Sequence, residues 1–142
     1  MKKALVTGGA GFIGTNLIQR LTFEGFQVFS LDNYSTGSRD NELSSVTYVK
    51  GDIESIDQFN TQNFDYCFHL AAQSRVQPSF EDPEESLRVN VQGTLKVMEW
   101  AKKNKVKVLY AGSSSKHHDP SDSPYAMTKF LGEEICKLYR KT

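Results

Sequence analysis

At 142 residues, with 17 basic and 17 acidic side chains and no net charge, the chain has the size of one domain spanning residues 1–142, and it lacks the overall field that would gather nucleic acid or an anionic membrane surface. Its apolar runs fall short of the roughly 20 residues of a membrane span, and Met1-Lys2-Lys3 leads straight into a short apolar segment, so the sequence reads as cytoplasmic and without a targeting peptide. The two cysteines, Cys67 and Cys136, lie far apart among apolar residues and read as structural thiols rather than a disulfide or a metal pair.

In chain order, Ala4-Leu5-Val6 is a short apolar run that ends at Thr7-Gly8, the pattern of a buried parallel strand meeting a tight turn. Phe12, Ile13, Leu17, Ile18 and Leu21 then follow at helical spacing, Gly25 closes that helix, and Gln27 to Asp32 predicts a second strand. The Asn-, Ser- and Gly-rich stretch 33–45 is a loop, Val46 to Val49 a third strand, and Ile56 to Phe59 a short helix. Asp65 to Ala72 reads as a fourth strand with small residues at its C-terminal end. From Pro83 to Lys103 the apolar positions keep one helical period, Val106 to Ala111 is a fifth strand, and a last helix runs from Tyr125 to about Arg140.

Strands that alternate with helices imply an α/β fold of the Rossmann type, a doubly wound parallel sheet of five strands in the order 3-2-1-4-5. The first and fourth strands then flank the point where the strand order reverses, the place where such sheets bind ligands.

Two features carry chemistry. Gly8, Gly11 and Gly14, spaced Gly-x-x-Gly-x-x-Gly between a strand and a helix, let the chain turn sharply and let the N–H groups of the helix start, around Phe12 and Ile13, approach a pyrophosphate. Asp32 ends the second strand 18 positions after Gly14, placed to accept both adenosine ribose hydroxyls, and it favours NAD over NADP because a 2′-phosphate would meet its carboxylate. The same aspartate also suits a simple turn before Asn33. Asp52 and Ile53 after the third strand fit either an adenine contact or an ordinary Gly-Asp turn.

The second feature is Tyr125 and Lys129, four apart at a helix start and so about 5–6 Å apart at Cβ on one face. An ammonium and a bound nicotinamide cation beside the phenol favour the phenolate, which suits the tyrosine to act as a base, and the same lysine can anchor a ribose. Taken alone, Tyr-x-x-x-Lys is common on amphipathic helices. His117-His118-Asp119 reads as a solvated loop and not a metal site, because adjacent histidines rarely converge on one ion.

With these motifs in view the chain resembles the extended short-chain dehydrogenase/reductase family, in particular its nucleotide-sugar epimerases and dehydratases. The resemblance covers Lys3 to about Tyr139 and rests on seven ordered motifs: Thr7 to Gly14, Leu31-Asp32-Asn33, Gly51-Asp52-Ile53, His69-Leu70-Ala71-Ala72, Asn90-Val91-Gln92-Gly93-Thr94, Ser113-Ser114-Ser115 and Ser123 to Lys129. It implies an NAD site that adds Asn33, Leu70, Ala71, Ala72 and Asn90 to the residues already named, with Tyr125 and Lys129 at its nicotinamide end. It further implies that Tyr125 takes a proton from a sugar hydroxyl of a UDP- or GDP-sugar as hydride passes to NAD. A serine after the fifth strand would then bond the reacting oxygen, Ser113 matching best and Ser114 second. Dehydratases of the family carry a Thr-Asp-Glu run where this chain has serines, which favours an epimerase.

Two departures bear on activity: the loop between Ser115 and Tyr125 looks short, and relatives continue into a C-terminal substrate lobe that these 142 residues do not include. The sequence therefore supports an epimerase reduced to its cofactor domain, a dinucleotide-binding module that turns nothing over, or one piece of a split enzyme completed by a separate substrate-lobe chain. In each case a homodimer or higher oligomer is expected, through the Pro83–Lys103 and Tyr125–Arg140 helices or by pairing at the edge of the fifth strand.

Overall fold

Ala4, Leu5 and Val6 are fully buried at the centre of a five-stranded sheet in a computed structural model that describes residues 1–141, Thr142 lying outside the described residues. The strands are β1 (Lys3–Thr7), β2 (Gln27–Asp32), β3 (Thr47–Lys50), β4 (Tyr66–His69) and β5 (Lys107–Tyr110), all parallel, in the order β3-β2-β1-β4-β5. Parallel strands need crossovers, and the crossovers cover both faces of the sheet. Alternation within β1 divides the core accordingly. Ala4 and Val6 point to the face of α1 (Phe12–Phe23), with Ile18, Leu21 and Val28, whereas Leu5 points to the opposite face, with Trp100, Val97, Phe59 and Phe64.

Helix α1 ends as its sequence suggests: Gly25 takes φ +85°, the left-handed conformation that a residue just past a helix end favours. A 3-10 helix, Ile53–Phe59, follows β3 and buries Ile53, Ile56 and Phe59. After β4 comes α2 (Val76–Glu81), then α3 (Pro83–Leu87), which Asp82 caps by accepting the Glu85 N–H. The region expected as one uninterrupted helix is indeed helical from Pro83 to Asn104, but its middle turn, Arg88–Gln92, widens to a π-turn before α4 (Gly93–Asn104). Helix α5 (Pro124–Tyr139) starts with Ser123 as N-cap and Pro124 in its first turn, and packs beside α2, α3 and α4.

The polar loop between β5 and α5 holds two 3-10 turns, Ser114–His117 and Pro120–Asp122. No helix among the described residues is long and apolar enough to cross a membrane.

Candidate cofactor and catalytic site

The C-terminal ends of β1, β2 and β4 lie together where the strand order reverses, the crevice in which such sheets take ligands, and the glycine turn follows β1 there. Gly8 has φ +73°, and a Cβ there would lie 2.9 Å from Ala71 N, so the turn after β1 can press against the end of β4 only without a side chain. A Cβ on Gly14 would stand 2.3 Å from the Gly8 carbonyl oxygen, which is what brings the start of α1 down onto the turn. Gly11 differs. A Cβ there would meet only Gly8 O at 3.5 Å, and as N-cap of α1 it supplies no side chain to the helix N–H groups. The first-turn donors of α1 therefore face open space beside a positive helix end, with Phe12 and Ile13 86% and 66% exposed around them. Such a cradle fits a pyrophosphate.

Asp32 sits at the end of β2 next to this turn. One of its carboxylate oxygens accepts the Ala10 N–H at 2.9 Å and the other the Tyr34 N–H at 2.8 Å, so the side chain ties the glycine turn to the loop after β2. Each oxygen keeps a lone pair for a ribose hydroxyl. The loop 33–45 folds back over the turn: Ser38 N donates to Ala10 O, and a Cβ on Gly37 would press into Ala10 at 2.8 Å. Tyr34, at φ +61°, lies under the Arg39 guanidinium and hydrogen-bonds Glu42.

Asn33, just after β2, donates to the carboxylate of Asp52, just after β3, at 2.9 Å, so these two residues meet beyond the ends of the two strands. Ile53 is nearly fully buried in the core against Gly93, where a Cβ would meet Ile53 Cγ2 at 2.6 Å. Arg88 bonds Glu85 and Glu54 and approaches Asp52 at 3.9 Å. Sequence reasoning did not find this arginine, because a cation within a helix carries no signal until β3 and the π-turn bring it to the acids.

Leu70 and Ala71 stand at the end of β4, and their N–H groups both donate to Thr7 Oγ1, at 3.1 and 3.2 Å, with Ala72 following them in the chain. Since Thr7 Oγ1 accepts twice, its own proton goes to His69 Nδ1, 2.7 Å away, and the Nε2–H of His69 then donates to Thr94 Oγ1 at 3.0 Å. Burial, with the Lys129 charge as a lesser cause, lowers the His69 pKa to about 3, so the imidazole stays neutral. His69 is thus a structural bridge among β1, β4 and α4. Asn90 is likewise 1% exposed: it accepts the Gln73 N–H, donates to Gln73 O, and donates to Thr128 Oγ1. It holds the loop beyond β4 from behind the crevice.

At the other end of the site the Tyr125 hydroxyl lies 3.5 Å from Ser113 Oγ. Ser113 is half-buried and fixed as the cap of its 3-10 turn, accepting the Ser115 N–H at 3.2 Å and the Ser115 hydroxyl at 2.9 Å. Ser114 is exposed. Lys129 is 6% exposed; its ammonium donates to Ala111 O at 2.7 Å and lies 4.5 Å from the Tyr110 ring centroid. Burial lowers its pKa to about 8, against smaller opposing contributions from Cys136 and Glu133. Burial raises the Cys67 thiol to about 12, and both cysteines are free. Among the described residues no group of three His, Cys, Asp or Glu side chains is arranged to hold a metal ion.

The family model for the NAD dependent epimerase/dehydratase family matches residues 4–142. Among curated proteins, the UDP-glucose 4-epimerase of Mycolicibacterium smegmatis is 35% identical over 164 residues, a match covering 97% of this chain and 51% of that protein. Among solved structures, the UDP-glucose 4-epimerase of Thermotoga maritima with UDP-glucose superposes with a TM-score of 0.91 at 27% identity, over 98% of this chain and 51% of that one. The UDP-glucose 4-epimerase of Thermus thermophilus in complex with NAD gives 0.87 at 30% identity, over 98% and 51%. The chain spans about half the length of the curated relatives it matches.

Proposed function

The chain belongs to the NAD dependent epimerase/dehydratase family, and from that premise we propose that it binds NAD in the crevice at the ends of β1, β2 and β4 and acts as an epimerase on a nucleotide sugar, a UDP- or GDP-linked hexose. One observation carries the reading: the open glycine cradle with Asp32 and the Tyr125–Ser113 pair lie along the same end of one sheet. In this reading NAD supplies a reversible hydride acceptor beside the sugar. Gly8, Gly11 and the first turn of α1 hold its pyrophosphate, Asp32 its adenosine ribose, and Asn33 with Asp52 its adenine edge. Lys129 anchors the nicotinamide ribose, Tyr125 takes and returns the proton of the sugar hydroxyl, and Ser113 steadies the same oxygen. Relatives solved with UDP-glucose and with NAD support the two ligand classes, and the free thiols support a cytoplasmic setting.

A second reading is binding without turnover, as a module or as one part of an enzyme completed by a separate substrate-lobe chain. It is favoured by the Tyr125–Ser113 separation, at the outer limit of a hydrogen bond, and by the donation of Lys129 to Ala111. Calorimetric titration with NAD followed by an assay on UDP-glucose separates the readings. Micromolar binding that weakens at least tenfold in Asp32→Ala, with interconversion lost in Tyr125→Phe, supports the epimerase. Binding with no turnover by the wild type leaves the second reading, and absence of binding removes both.

Self-association belongs to the same proposal. Leu87 on α3, Leu95 on α4 and Met127 on α5 are 45%, 43% and 36% exposed, which supplies apolar side chains on the helices through which a second copy would pack. Sedimentation should show a dimer at micromolar concentration; a lone 16.0 kDa species would exclude it.

A further inference from the structure

Tyr125 begins a helix, and the first donors of a helix have no partner within it. Ser123 Oγ satisfies one by accepting the Ala126 N–H at 3.0 Å. The N–H of Tyr125 itself goes outside the helix, to Ser79 Oγ on α2, also at 3.0 Å. Ser79 is 1% exposed, and its own proton is committed to the Val76 carbonyl one turn back, so the lone pair is left for Tyr125. The carbonyl of Tyr125 is held as well: Thr128, 1% exposed, donates its hydroxyl to Tyr125 O at 3.0 Å while accepting Asn90 Nδ2 at 3.0 Å.

From this geometry we infer that Ser79 and Thr128 are positioning residues that fix both polar groups of the Tyr125 peptide and so set the reach of the phenol to Ser113. The inference gives a purpose to the otherwise marginal helix α2, six residues with a proline within it. That helix follows the β4 loop, which Asn90 grips through Gln73, and Ser79 passes the position of the loop on to Tyr125. The end of β4, which lines the cofactor crevice, and the base at the start of α5 are therefore held in one frame of buried side-chain hydrogen bonds. A base misplaced by about 1 Å can cost around a hundredfold in rate, so such a frame has catalytic weight. The assignment of Tyr125 as base rests on the proposed function, but the grip on its peptide does not.

The test is made on the full chain without ligand, by NMR, so that its outcome is independent of NAD binding or turnover. In Ser79→Ala, hydrogen exchange at the Tyr125 amide should quicken at least tenfold relative to the amides of β1 and β4, and the ring-proton contact between Tyr125 and Ser113 should weaken or vanish. Thr128→Val should also weaken that contact, and Thr128→Ser, which keeps the hydroxyl, should restore it. A purely structural role would move the β-strand amides together with Tyr125. If Ser79→Ala fails to fold, the Thr128 pair decides alone. An unchanged Tyr125–Ser113 contact in folded Ser79→Ala, or in Thr128→Val where Ser79→Ala does not fold, overturns the inference.

Discussion

Lys129 is an ammonium group buried at 6% exposure, with the Ala111 carbonyl to accept one of its protons and the Tyr110 ring beside it. Taking that charge out of water lowers its pKa from 10.5 to about 8, which means that below pH 8 the folded chain carries the full burial cost. Lys129→Met should therefore stabilise the unliganded chain by about 2 kcal/mol at pH 7, the shift being worth at most about 1.4 kcal/mol per pH unit and the lost Ala111 bond about 1 kcal/mol. The sign predicts the pH dependence. Above pH 8 the folded wild type releases the proton while the unfolded chain keeps it to about 10.5, so wild-type stability rises relative to the variant and the gap narrows. Urea midpoints of both chains at pH 7 and 9.5 check this, and groups remote from Lys129 cancel in the difference. A gap that is absent at pH 7, or that widens toward pH 9.5, would show that the lysine is not the strained group. Stability given up at one side chain is what a binding site built for an anchoring cation would display.

At the level of elements, the strand order was legible because each part of it has a local cause. β2 covers Gln27–Asp32 as expected, since an apolar run between Gly25 and a polar loop has little freedom, and the glycine spacing sets the β1–α1 turn regardless of context. The widened turn at Arg88–Gln92 was not legible, because periodicity over the long helix is the same on either side of it. Its cause is tertiary: the extra residue in the turn allows Asn90 to face Gln73 and Thr128 while Gly93, Val97 and Trp100 stay against the sheet. Helix α2 was missed for a similar reason. Six residues that include Pro78 have too little helical propensity to announce themselves, and the segment is held by Ser79 and its packing on α5. At the site, Asp32, the glycines and the Tyr125–Ser113 pair could be read from motifs, whereas Ser79, Arg88 and the bonding of His69 depend on contacts between segments far apart in sequence.

For the whole molecule the decisive buried group is His69, because Thr7 on β1 and Thr94 on α4 close over its two ring nitrogens and so join the sheet to one of its helical layers. Protonation would place a second N–H against Thr7 Oγ1, which already accepts from Leu70 and Ala71. The pKa falls from 6.5 to about 3, first through burial and then through the Lys129 charge. Between those values the unfolded chain takes up a proton that the folded chain refuses, so stability is greatest above pH 6.5 and is lost as the pH falls. Since the unfolded imidazole is only half protonated at pH 6.5, the loss from there to pH 4.5 should be about 2 kcal/mol at about 1.4 kcal/mol per unit, a large share of the roughly 5–15 kcal/mol that a domain of this size has. The Glu85 carboxyl, held below its usual range by its bonds to Arg88, begins to contribute only toward the lower end of this window, and it does so in both chains alike. In His69→Gln the same window should be nearly flat, although the variant starts from lower stability because a glutamine cannot meet both threonines as the ring does. Urea unfolding at half-unit steps of pH reads both slopes, and a wild-type slope no steeper than that of the variant would mean that the ring takes its proton without opening the sheet.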